Sequence, residues 1–267
     1  MRAKKSLGQN FLVDPRHQRR IVDALAVGPA DEVLEIGPGR GALTRHLVGR
    51  ARRIVLVELD DALVADLRGR WEDRDDVEIV HGDALELDLR DLLEDPSSAK
   101  ILGNIPYGIT SPLLFKLLER PRAAVIQVMV QREVGDRLSA EPGTREYGAL
   151  AVGVGALADV VRLFQVPRSV FRPVPRVDST VVRIVPHVPP RLTATEEADL
   201  RVLTRASFQW RRKQLGKILR EHPDVALPRD VVERVAKDTQ IALSDRPEML
   251  SPGRLLELSR AVAGARG

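Results

Sequence analysis

Short apolar runs alternate with amphipathic segments along the first two thirds of the chain. Five of these runs are rich in Val, Ile and Leu and are too short for buried helices, so they predict buried strands. The segments between them, such as GALTRHLVGR (41–50), carry apolar residues at helical spacing. This alternation predicts an α/β fold, in which helices cover both faces of a parallel sheet. The predicted strands are 32–37, 53–59, 77–83, 100–104 and 124–131.

The pattern changes near residue 186. A Val/Thr-rich run at 177–185 is suited to pair with 160–166 as a hairpin that closes the edge of the sheet. The proline-rich stretch PHVPP (186–190) follows, and beyond it the apolar spacing is helical, with N-caps predicted at Thr195 and Ser251. We therefore predict two domains, a sheet domain at 1–186 and a small helical domain at 187–267.

Composition excludes several classes of protein. With 267 residues, 43% of them hydrophobic, the chain can bury a full core. No apolar run approaches the roughly 20 residues that span a bilayer, and the start lacks the apolar segment of a signal peptide, so we expect a cytoplasmic protein that does not bind membranes. The chain has no cysteine, which rules out disulfides and thiolate chemistry, and we expect no metal site.

The net charge of +4 is unevenly distributed. Residues 186–267 hold 15 Lys and Arg against 11 Asp and Glu, which accounts for the whole excess. The densest cluster is RRKQLGKILR (211–220), and a second one opens the chain. Two basic clusters favour binding of a nucleic acid, while a solvated helix face is the alternative for either one. The candidate RNA-binding residues are Arg211, Arg212, Lys213 and Lys217.

Polar residues mark the ends of the first three predicted strands. The glycine-rich motif LEIGPGRG (34–41) ends the first, Glu58 ends the second and Asp83 ends the third. Ligands of open α/β sheets bind at such strand ends, where glycines allow close approach to the backbone. A carboxylate at Glu58 suits the two hydroxyls of a ribose, and Asp83 suits an adenine amino group. The sequence therefore predicts a nucleoside site.

The glycine spacing distinguishes between cofactors. A dinucleotide site typically shows GxGxxG, whereas Gly37, Gly39 and Gly41 occupy every second position here. Glu35 would repel a pyrophosphate and suits a cationic ligand. S-adenosylmethionine therefore fits better than NAD. A nucleotide-dependent dehydrogenase remains an alternative that the glycine spacing and the lack of a candidate hydride-site histidine disfavour.

The motif GNIPYG (103–108) follows the apolar pair Ile101-Leu102. A loop tip would favour Gly, Asp or Ser, and a core would exclude the amide of Asn104. The motif is therefore interpreted as part of a site.

Seven motifs, in order, resemble those of the small-subunit ribosomal RNA adenine dimethyltransferases, the kasugamycin-resistance type of the rRNA adenine N(6)-methyltransferase family. The resemblance covers essentially the whole chain. It implies a Rossmann-like class I methyltransferase sheet and a monomeric enzyme that dimethylates two adjacent adenines in the 3′-terminal hairpin of small-subunit rRNA, within an immature ribosomal subunit during ribosome biogenesis. The motifs are KSLGQNFL (5–12), LEIGPGRGALT (34–44), VELD (57–60), HGDAL (81–85), GNIPYGITSPLLF (103–115), FRPVPRVDSTVVR (171–183) and SFQWRRKQL (207–215).

The resemblance also implies roles for individual residues. Asn10 and Leu12 would close over the cofactor, and Asn104 would face both the cofactor and the target base. Gly37 would contact the methionine end of the cofactor, Glu58 its ribose and Asp83 its adenine. The candidate cofactor site also includes Glu35, Gly39 and Ala84, which lie within the matching motifs.

The chemistry of the target explains the motif NIPY. An adenine amine is a poor nucleophile because its lone pair is delocalised, so it needs positioning and hydrogen-bond acceptors more than a strong base. The side-chain oxygen of Asn104 and the carbonyl of Ile105 are the predicted acceptors, while Pro106 keeps the turn rigid. Tyr107 would stack on the base, and the resemblance suggests Phe171 as the opposing face. A non-catalytic ribosome-assembly factor is the remaining alternative, which the intact NIPY argues against.

Overall fold

The computed structural model describes residues 9–266, apart from the side chain of Tyr107. The strands are β1 (Phe11–Leu12), β2 (Glu32–Ile36), β3 (Arg53–Glu58), β4 (Val77–His81), β5 (Lys100–Asn104), β6 (Val125–Gln131), β7 (Ala158–Val166), β8 (Phe171–Arg172) and β9 (Ser179–Pro186). The helices are α1 (Pro15–Leu25), α2 (Thr44–Leu47), α3 (Asp61–Trp71), α4 (Thr110–Leu117), α5 (Arg132–Leu138), α6 (Ala149–Gly155), α7 (Ala194–Gln209), α8 (Leu215–Glu221), α9 (Arg229–Thr239) and α10 (Pro252–Gly264).

A seven-stranded sheet forms the centre of the fold, in the order β4-β3-β2-β5-β6-β9-β7. The strands β2 to β6 pair in parallel, and β9 pairs antiparallel to β6. Their apolar side chains are almost entirely buried, as expected for strands covered on both faces. The predicted α/β fold is confirmed, and each of the five predicted strands is present with ends that differ by no more than two residues.

The strand order places a crevice at one edge of the sheet. β3 and β4 lie on one side of β2, and β5 and β6 lie on the other. The connections that leave the carboxyl ends of β2 and β5 therefore run in opposite directions, and they leave a crevice between them. The predicted pairing of 177–185 with 160–166 is also observed, because β9 lies beside β7, with β7 at the edge.

The chain divides into two compact units. The first comprises the residues up to Gly135 together with Val160–Pro186, and the second comprises Asp136–Asp159 together with the residues from His187 onward. The segment 136–159, which the sequence prediction included in the sheet domain, thus belongs with the helical unit. Tyr147 explains this, because its fully buried ring packs edge-on against Phe208 at 5.9 Å and its hydroxyl donates to the Leu250 carbonyl at 2.7 Å.

The start of α7 differs from the prediction. Its N-cap is Thr193, whereas the sequence interpretation placed the cap at Thr195. The Thr193 hydroxyl accepts from the Glu196 amide at 3.2 Å, and the Glu196 carboxylate accepts from the Thr193 amide at 2.7 Å, which makes a capping box. The predicted cap of α10 at Ser251 is confirmed. Within residues 9–266, no helix combines the length and the apolar character that crossing a membrane requires.

Gly41 allows α3 to pack on the loop that follows β2. Its φ of 68° lies in the left-handed region, and a Cβ built there would lie 2.1 Å from the indole of Trp71, the last residue of α3. Trp71 in turn packs against the main hydrophobic core. Gly49 has a similar φ of 78°, but a Cβ there would meet no atom within 4 Å. The two glycines share a backbone conformation and differ in what surrounds them.

We expect Gly41→Ala to destabilise the protein far more than Gly49→Ala. Both variants incur the cost of a left-handed Cβ, about 1–2 kcal/mol, and Gly41→Ala adds the overpacking of Trp71, about 1–3 kcal/mol. Urea unfolding of the two variants measures the difference directly. Equal destabilisation would show that Trp71 moves aside freely and does not fix the loop.

Candidate active site

A cavity of about 390 Å³ opens at the carboxyl ends of β2, β3 and β5. Its volume is in the range of small-molecule sites. Eleven residues predicted for the cofactor or the chemistry line it, and the structure thus brings together residues from five separate stretches of sequence. They are Asn10, Leu12, Glu35, Gly37, Gly39, Glu58, Asp83, Ala84, Asn104, Ile105 and Pro106.

The glycine loop after β2 forms one wall of this cavity. Gly37 and Gly39 adopt φ values of 66° and 57°, in the left-handed region that favours glycine. A Cβ at Gly39 would come within 3.2 Å of the Phe11 ring. The Gly37 amide donates to the Val57 carbonyl of β3 at 2.9 Å, which anchors the start of the loop.

Glu58 fixes the middle of the same loop. Its Oε2 accepts from the Gly39 amide at 3.0 Å, and its Oε1 accepts from the amides of Leu59 and Asp60, each at 3.0 Å. The side chain is 7% exposed, and burial raises the pKa of its carboxyl group although these three amides lower it. Because Oε2 accepts only one of these bonds, it keeps a second acceptor site, through which Glu58 can accept from a ribose hydroxyl while it holds the loop.

Asp60 connects the start of α3 to the N-terminal segment. This buried carboxylate caps α3 through the Ala62 amide at 3.0 Å and accepts from the side-chain amide of Gln9 at 3.0 Å. Gln9 lines the cavity but was not predicted. Its contact ties the segment that holds Asn10 and Leu12 to the strand end that holds Glu58.

Glu35 lies deepest among the cavity acids. The side chain is 1% exposed, and its carboxylate accepts from the Thr44 hydroxyl at 2.7 Å. Burial, together with the negative charge of Glu58, raises the pKa of Glu35 to about 7, although its hydrogen bonds with Thr44 lower it. A nearby cation would favour its ionised form.

The donor set of this cavity fits S-adenosylmethionine. Three carboxyl groups, on Glu35, Glu58 and Asp83, and one guanidinium, on Arg40, line it. This balance suits the positive sulfonium and ammonium groups and would repel a pyrophosphate, which disfavours the dehydrogenase alternative. Asp83 is bonded through Oδ1 to the Leu85 amide at 2.8 Å, so its carboxylate is oriented at the cavity wall. Within residues 9–266, no cluster of three or more metal-ligating side chains is present.

Asn104 ends β5 at the rim of this cavity. Its Nδ2 donates to the Asn10 carbonyl at 3.3 Å, which orients the amide and assigns Oδ1 as an acceptor. The adjoining turn is fixed by its own backbone. The Ile105 amide donates to the Met129 carbonyl of β6 at 3.3 Å, and the Pro106 carbonyl accepts from the Ile109 amide at 3.2 Å. The predicted stacking ring of Tyr107 lies outside the described residues.

Phe171 occupies a different place from the one predicted. Its side chain is 1% exposed in the main hydrophobic core, and it does not line the cavity. It lies in β8, directly opposite Leu12 of β1 in an antiparallel pair. Phe171 therefore packs in the core beside β1, and its buried ring presents no face on which a base could stack.

The basic cluster of the second unit contains one arginine with a structural role. Arg211 forms a salt bridge with Glu248, and its guanidinium donates to the carbonyls of Arg145 at 2.8 Å and Thr144 at 3.1 Å. These contacts use three of the five N–H groups of Arg211 and pair its charge with Glu248, although Arg211 was predicted to bind RNA. Its neighbours Arg212 and Lys213 are exposed, as is Lys217, which pairs with Glu221 at 3.4 Å on the same helix.

Besides Gln9, three residues of the site, Phe11, Arg40 and Leu59, were not predicted from the sequence. Phe11 lies under the Arg40 guanidinium, 4.7 Å from the ring centroid, in a cation–π contact. Leu59 is 46% exposed although it directly follows Glu58. Leu59 could have been predicted, because it is an apolar residue directly after the acidic end of a strand. The contact between Phe11 and Arg40 could not, because no local sequence pattern indicates it.

Comparison with known proteins agrees with this geometry. A family model described as ribosomal RNA adenine dimethylase matches residues 1–261. The chain is 43% identical over its full length to the ribosomal RNA small subunit methyltransferase A of Geobacter metallireducens, of which it covers 98%. It is 38% identical over 97% of its length to the protein of the same name from Bacillus cytotoxicus, of which it covers 91%.

Two solved structures share the fold over nearly the whole chain. A dimethyladenosine transferase from Plasmodium falciparum superposes with a TM-score of 0.79 at 27% identity, covering 93% of this chain and 95% of that one. The 23S rRNA methyltransferase ErmE superposes with a TM-score of 0.69 at 28% identity, covering 95% of this chain and 99% of that one.

The pKa of Glu35 leads to a test at two pH values. Because it is about 7 in the folded protein against 4.5 ordinarily, the folded state binds more protons between these values, and stability falls as pH rises through this window. Gln at position 35 does not ionise and can still accept from Thr44. In the wild type, this group should lower the free energy of unfolding by about 3 kcal/mol between pH 4.5 and 7, and we expect Glu35→Gln to abolish that decrease.

Urea unfolding of the cofactor-free protein at pH 5 and pH 8 measures this loss, with Glu86→Gln, an exposed glutamate, as the matched control. The same pH dependence in wild type and Glu35→Gln would contradict the assignment of a protonated buried acid.

Arg211 and Arg212 form a natural matched pair. We expect Arg211→Gln to lower the stability of the protein by about 1–3 kcal/mol, because it leaves Glu248 and two carbonyls without their donor. Arg212→Gln should leave stability unchanged and reduce the salt dependence of RNA binding by about one phosphate contact. Thermal unfolding and binding titrations at several salt concentrations test both. A loss of salt dependence in Arg211→Gln alone would reverse the two roles.

Proposed function

The chain belongs to the ribosomal RNA adenine dimethylase family, and on this premise we propose how its residues carry out the reaction. The protein is an S-adenosylmethionine-dependent rRNA adenine dimethyltransferase, and rRNA is its substrate. We propose that its target is a pair of adjacent adenines in the 3′-terminal hairpin of small-subunit rRNA. We further propose that it acts as a cytoplasmic monomer on an immature ribosomal subunit.

The cofactor cavity is the proposed binding site of the methyl donor. S-adenosylmethionine supplies, when bound, a methyl group on a positively charged sulfur. Glu58 would accept from the ribose hydroxyls and Asp83 from the adenine amine, while Gly37 and Gly39 admit the methionine end. Leu59, exposed beside Glu58, supplies an apolar surface for the adenine ring.

The observation that carries the proposed chemistry is the oriented amide of Asn104. Its Nδ2 is held by the Asn10 carbonyl, so Oδ1 can accept a hydrogen bond from the target amine. The Ile105 carbonyl, which precedes a proline, is the proposed second acceptor. Two acceptors on the amine hydrogens direct the nitrogen lone pair towards the methyl group and stabilise the positive charge that develops on nitrogen. The proton is released from the amine after transfer.

Positioning supplies much of the proposed rate enhancement. Holding a weak nucleophile in line with its electrophile lowers the barrier by about 7–11 kcal/mol in well-oriented systems. The turn after β5 is suited to this because it is held to β6 through Ile105 and closed through Pro106 and Ile109. Tyr107 remains the proposed stacking partner of the base.

The domains would divide the work between them. We propose that the sheet unit binds the cofactor and carries the chemistry, and that the helical unit binds RNA. Its exposed Arg212, Lys213 and Lys217 support this assignment, whereas Arg211 is withdrawn from it by its contacts within the unit.

Replacement of Asn104 tests the proposed mechanism. We expect Asn104→Ala to lower turnover by about a hundredfold or more, as loss of one preorganised polar group typically does, with little change in RNA affinity. Asn104→Asp retains an acceptor oxygen but loses the donor to the Asn10 carbonyl, so its turnover should lie between that of wild type and that of Asn104→Ala.

The assay is methyl transfer to immature small subunits, followed by digestion to nucleosides and detection of dimethyladenosine. Cofactor binding by calorimetry serves as the control for folding. A wild-type rate in Asn104→Ala would contradict the role given to its amide.

A further inference from the structure

A second cavity lies beside the cofactor cavity, across the short strand β1. Its volume is about 350 Å³, and it shares Phe11, Leu12, Arg40 and Ala42 with the first. β1 and its neighbouring residues therefore border both spaces. We call this second space the arginine cavity, because Arg40, Arg45 and Arg172 are the charged residues that line it.

Each of these arginines is held in place by the backbone or by a ring. The Arg45 Nε donates to the Gly41 carbonyl at 3.2 Å. The Arg172 Nη1 donates to the carbonyls of Ser169 at 2.8 Å and Phe171 at 2.7 Å. The Arg40 guanidinium lies over Phe11. All three guanidinium groups thus have defined positions and retain further N–H donors.

The positive charge of this cavity is not compensated by its own lining. None of the nine residues that line it is acidic, and neither Arg45 nor Arg172 forms a salt bridge within residues 9–266. Of the arginines that line this cavity, Arg45 also acts on the half-buried His46, whose pKa is lowered first by burial and then by the charge of Arg45. The like charges of Arg45 and Arg172 beside one space repel each other, and a bound anion would relieve that repulsion.

The two cavities have opposite charge preferences. Glu35, Glu58 and Asp83 in the first favour a cation and disfavour phosphate, whereas the arginine cavity favours phosphate. An RNA strand that offers a base at Asn104 must place its negatively charged backbone outside the acidic cavity. The arginine cavity is the adjoining space that can accept it.

We propose that the arginine cavity binds the phosphodiester that flanks the target adenine, through the guanidinium groups of Arg45 and Arg172. Guanidinium groups match the geometry of phosphate oxygens and form charge-assisted hydrogen bonds with them. The inference rests on the proposed function, and it adds a binding subsite that sets the register of the RNA strand relative to Asn104.

Salt dependence tests the charge part of this proposal. We expect Arg45→Gln and Arg172→Gln each to weaken binding of immature small subunits about tenfold, because each removes a charge-assisted hydrogen bond. Since both contact one phosphate, the double variant should lower the salt slope by about one in total. A loss of about two would show two separate phosphate contacts and overturn the single subsite. The matched control is Arg68→Gln, an exposed arginine of α3 that lines neither cavity.

Phosphate ethylation interference tests the position. Small subunits with randomly ethylated phosphates are sorted by enzyme binding, and ethylation next to the target adenine should impair binding of wild type and of Arg68→Gln. The double variant should lose that one signal and keep the others. An unchanged pattern in the double variant would overturn the proposal.

Two controls separate this proposal from the proposed function. Calorimetry should show unchanged S-adenosylmethionine binding in every variant, and a loss in the double variant would assign these arginines to the cofactor site instead. If wild type forms no dimethyladenosine, the proposed target is wrong. If wild type is active and the double variant behaves like Arg68→Gln, the subsite alone is wrong.

Discussion

The site depends on a single buried carboxylate, that of Glu58, which gathers three backbone amides. One of these amides belongs to the glycine loop at Gly39, and the other two belong to the entrance of α3 at Leu59 and Asp60. Burying a charge is costly unless hydrogen bonds compensate it. Here the compensating donors are backbone amides of the loops that shape the cavity. The acid and the loops therefore stabilise each other, and hydrogen bonds within the chain hold the cavity wall in shape.

This arrangement also confines negative charge to one side of β1. Glu35, Glu58 and Asp83 lie at or just after the carboxyl ends of neighbouring parallel strands, so their carboxyl groups line the same cavity. Arg45 of α2 and Arg172 of β8 line the second cavity, which none of these acids lines. Leu12 lines both cavities and, with Phe171 opposite it in β8, is buried in the hydrophobic core. A methyltransferase acting on RNA needs this separation, because its donor is a cation and its substrate a polyanion.

The parts of the fold that sequence reasoning predicted are those fixed by local patterns. Buried parallel strands must be continuous and apolar, so β2 to β6 could be located almost to the residue, and polar residues at their ends indicated the cavity. The N-cap of α7 could also have been predicted correctly, because Thr193 and Glu196 have the spacing of a capping box, which Thr195 lacks. The structural roles of Phe171 and Arg211 could not be predicted from the sequence. A motif specifies a residue type, whereas burial against Leu12 or pairing with Glu248 depends on distant parts of the chain.

The segment from Gln9 to Leu12 shows how one short stretch connects these features. Gln9 donates to Asp60, the Asn10 carbonyl orients Asn104, and the Phe11 ring contacts Gly39 and Arg40. The Leu12 carbonyl accepts from the buried Gln18 at 2.8 Å, which fixes the far end of the segment to α1. Its backbone and side chains therefore contact Asp60 beside Glu58, the side-chain amide of Asn104, and Arg40 of the arginine cavity. A displacement of this segment would alter all three contacts together, so the proposed sites for the cofactor, the target base and the phosphate would be coupled through these four residues.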